Sequence, residues 1–188
     1  APVGQEPGAQ RATYADAILW PKVRQGLTRL NPGESTATIE AALKRIERAE
    51  SQDASAENYR LHQLMVEGVP VEARGADGHT TTRRLALIDF ENPQANDWLV
   101  LNQFTIRQEG HTRRPDMLVF LNGLPVALLE LKNPADEQAS LRNAWNQVQT
   151  YRTQIPAVFT PNVVTIISDG TSAAMSSFTG AFEHYAPW

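Results

Sequence analysis

The sequence predicts an α/β fold in which a mixed central β-sheet is flanked by helices. Three observations lead there: helix-period apolar patterning up to residue 68, β-rich runs punctuated by turn signals from residue 69 onward, and a helix then a buried apolar run after residue 133. With 188 residues and 41% hydrophobic content, the chain suits one domain with a single sizeable core.

Residues 1–12, rich in Pro, Gly and Gln, predict a disordered lead-in; residues 13–188 then form one domain, with a helical part (13–68) and a sheet-bearing core (69–188). A short helix is expected over 14–20. Pro21 starts a second that runs to Leu30 and is ended by Asn31-Pro32-Gly33. Residues 35–50 place Ile39, Leu43 and Ile46 at helical spacing with charge opposite, and another helix over 56–67 stops at Gly68. Strands are expected at 69–74 and 80–90 around an Asp77-Gly78 turn, and at 98–106. Beyond them lie a helix over 134–154 with Asn133 as N-cap and Pro134 at its first position, a buried strand at 163–168, and a strand near 173–178 after Asp169-Gly170.

Between these regions runs RRPDMLVFLNGLPVALLELKNP, two β-forming runs separated by Asn122-Gly123, a hairpin signal. It carries Asp116 and, fourteen residues on, Glu130-Leu131-Lys132. Glu130 and Lys132 share a face, but whether Asp116 joins them depends on register, because side chains alternate along a strand. A two-residue turn would set Asp116 opposite Leu129, on the wrong face. The expectation is therefore a three-residue loop, Leu121-Asn122-Gly123, pairing Phe120 with Leu124 and Asp116 with Leu128; a bulge elsewhere could restore the face instead.

Charges directly after Val126-Ala127-Leu128-Leu129 would be expensive in an interior strand without a task. Two close carboxylates repel, and a hard divalent cation turns that repulsion into a binding site. Mg2+, with Mn2+ as substitute, suits Asp116, Glu130 and the Leu131 carbonyl. The metal would stabilise charge on phosphoryl oxygens and lower the pKa of a bound water, while Lys132 orients that water or helps deprotonate it. The chemistry indicated is phosphodiester cleavage.

The string NQFTIRQEGHTRRPDMLVFLNGLPVALLELKNPADE, followed by NAWNQVQTYRTQIP and VVTIISDGT, strongly resembles the N-terminal nuclease domain of the restriction (HsdR-type) subunit of type I restriction enzymes. RLNPG, VEGVPVE and LIDFENPQANDWLVLNQF extend the likeness over nearly the whole chain after the first ten residues. The resemblance implies a restriction-endonuclease-like core of the PD-(D/E)xK, RecB-like type, with Pro115-Asp116 and Glu130-Leu131-Lys132 on its two core strands. It also implies the Q-x-x-x-Y element, matched by Gln147 and Tyr151. Four apart, an amide and a phenol share a helical face and could touch DNA or steady the catalytic groups; Tyr151 equally completes an apolar stripe with Leu141, Ala144 and Val148.

The family further implies double-stranded DNA as substrate, partner methylation and specificity subunits, and an ATP-driven motor downstream. No G-x-x-x-x-G-K-[ST] is present, so these residues lack a P-loop and ATP would serve the full-length subunit. The missing initiator Met and the stop after FEHYAPW suggest an excised N-terminal portion, with motor and C-terminal domains elsewhere.

A net charge of −4 does not mark a DNA-binding surface, so a local patch is expected, with Arg113 and Arg114 as phosphate contacts beside Arg107 and Lys132. Glu57 is a further candidate acid on an upstream helix, Asp89 in the block IDFENP is either another site acid or a turn cap, and His111 is a loop residue within reach of a phosphate. There is no Cys, and His62, His79, His111 and His184 lack zinc spacing. No signal peptide or membrane span is visible, which favours the cytoplasm and no membrane partner. Two other functions fit the residues: a catalytically silent docking or DNA-binding module of the same subunit, and a stand-alone repair or recombination nuclease.

Overall fold

The computed structural model describes the chain apart from residues 1, 2, 4, 7, 75–78 and 136–139 and the side chain of Arg74. Three helices come first: α1 (Trp20–Leu30), α2 (Thr36–Glu47) and α3 (Ala54–Glu67). Their starts are set locally. Pro21 stands in the first turn of α1, the Ser35 side chain accepts from Thr38 N, and Asp53 accepts from Ala56 N.

β1 (Val69–Arg74) and β2 (Thr80–Leu85) pair antiparallel as a separate two-stranded sheet, while the turn expected at Asp77-Gly78 lies outside the described residues. The main sheet is built from β3 (Trp98–Asn102), β6 (Met117–Leu121), β7 (Leu124–Leu131), β8 (Val164–Ser168), β9 (Ala173–Ser176) and β10 (Ala186–Pro187), in the order β10-β9-β8-β7-β6-β3. Every neighbouring pair is antiparallel except β7 with β8. Parallel neighbours need a crossover, and α4 (Leu141–Gln154) supplies it between these two strands. This is the mixed, helix-flanked α/β sheet that the sequence predicts.

Each face of the sheet has its own core. Leu118, Phe120 and Leu128 pack with Ala144, Val148 and Tyr151 of α4, whereas Leu121, Leu124 and Val126 pack with Val23 and Leu27 of α1, Ile39 and Leu43 of α2, and Leu61 of α3. Burying each such Leu or Phe stabilises the fold by ~1.5–3 kcal/mol. Glu130 follows Leu128 by two residues, and so faces α4.

Several boundaries differ from the sequence expectation, and in the first of these a tertiary bond outweighs local preference. Residues 14–19 are not helical, and the helix there starts only at Trp20: Tyr14 O accepts from Arg107 N and Leu19 N donates to Gly123 O. Within the expected lead-in, Ala9 is fully buried and the buried Arg11 guanidinium stacks on Phe104 at 3.6 Å. β2 ends at Leu85, where Ala86 N turns to Asn31 Oδ1. β3 ends at Asn102, and residues after it form a hairpin of β4 (Ile106–Gln108) and β5 (His111–Arg113) that the sequence did not announce. α4 begins at Leu141, not at Pro134: Ser140 is its cap, and Asn133 instead closes a local turn by accepting from Ala135 N.

The central hairpin also departs from expectation. Leu121 pairs with Leu124, so the connection is the two-residue turn Asn122-Gly123, with φ of 47° and 87°. The expected three-residue loop is therefore incorrect. A bulge between Val119 and Phe120 leaves Val126 extra and pairs Val119 with Ala127 and Met117 with Leu129. Continued by one residue, that register brings Asp116 opposite Glu130. The reason for the tight turn is burial: Asn122 accepts from Arg29 Nη2 and Asp97 N and donates to Leu87 O and Asn96 Oδ1.

Candidate active site

Asp116 stands just before β6, after the buried Pro115, and is half-buried. Its Oδ1 accepts from Gln103 Nε2 at 2.7 Å and its Oδ2 from Leu131 N at 2.9 Å. Glu130, by contrast, lies inside β7 with 4% of its surface exposed. Lys132 Nζ donates to its Oε1 at 2.9 Å and the Tyr151 hydroxyl to its Oε2 at 3.1 Å. Gln147 Nε2 then donates to the Tyr151 hydroxyl at 3.2 Å. Lys132 is held from the main chain as well, because its N–H donates to Ser168 O on β8.

The electrostatics follow from this packing. Burial pushes the Glu130 carboxyl above its ordinary range, and the charge of Asp116 adds to that, while Lys132 and Tyr151 pull the other way. Burial, then the Glu130 charge, likewise pushes the Tyr151 hydroxyl up, so it stays a neutral donor. Glu130 is thus held beside Asp116 at a desolvation cost that its protein partners only partly offset.

The donor set suits a hard divalent cation. Each of the four carboxylate oxygens accepts one of the hydrogen bonds described, which leaves each a further lone pair. Leu131 N–H points to the Asp116 side; in an extended strand the carbonyl of the same residue faces that edge too. Two carboxylates and a carbonyl match what magnesium takes from protein, waters and phosphate completing its shell. Among the described residues no group of three or more His, Cys, Asp or Glu is placed to hold a metal ion.

The structure therefore brings together Asp116, Glu130, Leu131, Lys132, Gln147 and Tyr151. It does not bring Glu57. That carboxylate accepts from Glu50 N, Ser51 N and Arg60 Nε, while Arg60 reaches the Arg45 and Ile46 carbonyls at the end of α2. The candidate upstream acid is a staple between α2 and α3, and its charge is spent there. Asp89 caps a turn through Glu91 N and Asn92 N. Arg113 belongs to β5, with Nη1 donating to Thr112 O, and the exposed Arg114 precedes Pro115; neither bonds to the acids. His111 is exposed on the same hairpin. Gln103 was absent from the sequence expectations, since a lone strand-end glutamine carries no pattern.

The family described as the type I restriction enzyme R protein N terminus matches residues 2–184. This chain belongs to that family. Among relatives of the R-protein N terminus, the type I restriction enzyme HindI endonuclease subunit of Haemophilus influenzae is 32% identical over 179 residues. A putative type I restriction enzyme MjaIXP endonuclease subunit of Methanocaldococcus jannaschii is 30% identical over 182 residues. Each match covers 95% of this chain but 17% of the relative, so the chain spans about one sixth of the length of these proteins. Among the described residues, no helix is long and apolar enough to cross a membrane.

Proposed function

We propose that this R-protein N terminus is a metal-dependent DNA endonuclease domain, with Asp116, Glu130 and Lys132 as its catalytic residues. The observation that carries the reading is the convergence of Asp116 and Glu130 from adjoining strands, with Lys132 Nζ 2.9 Å from the Glu130 carboxylate. Asp116, Glu130 and the Leu131 carbonyl would hold Mg2+, or Mn2+ in its place. When bound, that ion supplies charge stabilisation at the scissile phosphate and acidifies a coordinated water.

The chain's own groups do the remainder. Tyr151, backed by Gln147, holds one oxygen of Glu130, so that the other can answer to Lys132. The Lys132 ammonium sits where it can orient the attacking water and offset negative charge growing on the phosphate. Arg113 and Arg114, on the chain leading into Asp116, are suited to grip the DNA backbone on approach.

The substrate proposed is double-stranded DNA, cut after ATP-driven translocation by other parts of a longer cytoplasmic subunit that works with methylation and specificity subunits. The names of the similar proteins, endonuclease subunits of type I restriction enzymes, support this assignment. Replacing Asp116, Glu130 or Lys132 by Ala in the assembled enzyme with magnesium should abolish cleavage and leave ATP turnover and translocation intact. Undiminished cutting by all three variants would instead favour the catalytically silent docking module.

A further inference from the structure

We infer that Gln103 is a positioning residue for Asp116, an inference that rests on the nuclease reading above. β3 pairs with β6 through Asn102 and Met117, and one step further Gln103 stands across from Asp116. Two bonds join that pair: Gln103 N donates to Asp116 O at 2.8 Å and Gln103 Nε2 to Asp116 Oδ1 at 2.7 Å. Gln103, Asp116 and Glu130 thus form a row across three adjacent strands.

Asp116 needs such help. It sits outside β6 and is only half-buried, so packing does not select its rotamer as it does for Glu130. Gln103 fixes one carboxylate oxygen from the β3 side while Leu131 N fixes the other from the β7 side. An ionised carboxylate accepts only, so the amide must present its NH2 to Asp116. That bond holds the oxygen without adding a positive charge that would oppose a cation.

The backbone bears on the same point. Gln103 has φ of 52°, in the left-handed region that residues with a Cβ rarely occupy. An exposed glutamine at a strand end has little packing to gain from that conformation. What it does secure is the simultaneous reach of its main-chain and side-chain N–H groups to one aspartate.

The test uses the full-length subunit in its assembled enzyme. Gln103→Met keeps length and removes the donor; Gln103→His returns an N–H at similar reach. Gln103→Met should lower single-turnover cleavage on the order of tenfold to a hundredfold, the worth of a hydrogen bond to a charged group. It should leave the KM for DNA, the ATP turnover and the urea midpoint unchanged, and calorimetry should show weaker calcium binding. Gln103→His should recover most of both losses. Wild-type cleavage and calcium binding by Gln103→Met, with Asp116→Asn inactive, would overturn the role of Gln103 alone. A cleavage loss that follows the urea midpoint and is not rescued by His would reduce Gln103 to a strand cap. An active Asp116→Asn would take down the nuclease reading and this inference with it.

Discussion

Tyr151 offers the sharpest test of how the helix supports the acids. Its hydroxyl donates to Glu130 Oε2 at 3.1 Å and accepts from Gln147 Nε2 at 3.2 Å, while its ring is buried in the α4 core. Tyr151→Phe keeps the ring and removes one of two donors on a buried carboxylate, which costs ~1.5–3 kcal/mol, or roughly ten- to 150-fold in an equilibrium or a rate. Burial already pushes Glu130 up, so losing the phenol pushes it further the same way and the acid limb of cleavage should move to higher pH. The hydrogen bonds of Gln147 reach Glu130 through Tyr151, so Gln147→Leu should cost less, about the 0.5–1.5 kcal/mol of a neutral bond. In a double-mutant cycle read by cleavage rate and calcium affinity, Gln147→Leu should then cost almost nothing in the Tyr151→Phe background. Additive losses, or a larger loss from Gln147→Leu than from Tyr151→Phe, would refute the relay and mean that Gln147 acts on DNA directly.

Two further predictions concern stability. Burial would raise the Glu57 carboxyl, but Arg60 and the N–H groups of Glu50 and Ser51 outweigh it and hold the carboxyl below its ordinary range. A folded-state pKa below the unfolded one means stabilisation that is complete above the unfolded value and lost as pH falls through the folded value. Glu57→Gln should therefore lower the urea midpoint at neutral pH, by about 3 kcal/mol in free energy, and the gap to wild type should close in acid; a gap constant with pH would contradict the pairing. At Gly123, φ is 87° and an added Cβ would stand 2.6 Å from Leu19 O and 2.8 Å from Val23 N. Gly123→Ala should cost about 3 kcal/mol from left-handed strain plus overpacking. Gly33→Ala, with similar φ of 90° and nothing within 4 Å, should cost only about 1 kcal/mol in the same urea titration; equal losses would deny the close approach of α1 to the turn.

What the sequence made legible was whatever local chemistry decides. Pro21 and the helical spacing of Ile39, Leu43 and Ile46 announce their elements because a fixed φ and an apolar period act within a few residues. Gln147 and Tyr151 were legible as one helical face on the same grounds. Asn133-Pro134 misled because a good N-terminal signal needs a helix that starts there, and Ser140 supplies a second, equally good one seven residues later. Glu57 misled for a different reason: a helix-borne glutamate looks alike whether it faces a metal or an arginine, and Arg60, three residues away, was visible but ambiguous. Gln103 could not be seen at all, since its significance is a cross-strand relation to Asp116 thirteen residues on.

The hairpin shows how a wrong local inference can coexist with a right chemical one. Asp116 and Glu130 are an even number of residues apart, so they share a face only if the unpaired residues between their strands are odd in number. A three-residue loop meets that condition, and so does a two-residue turn plus one bulged residue. Chemistry demands the parity and is indifferent to the solution. Tertiary structure chooses between them: Asn122 has four bonding partners, on α1, in the loop after β2 and just before β3, and they close around a tight turn seated against α1. With the turn fixed at two residues, the extra one is displaced to Val126, whose carbonyl accepts from Val163 N and whose side chain fills the helical core. The bulge is therefore the part of the fold on which the meeting of the two acids depends.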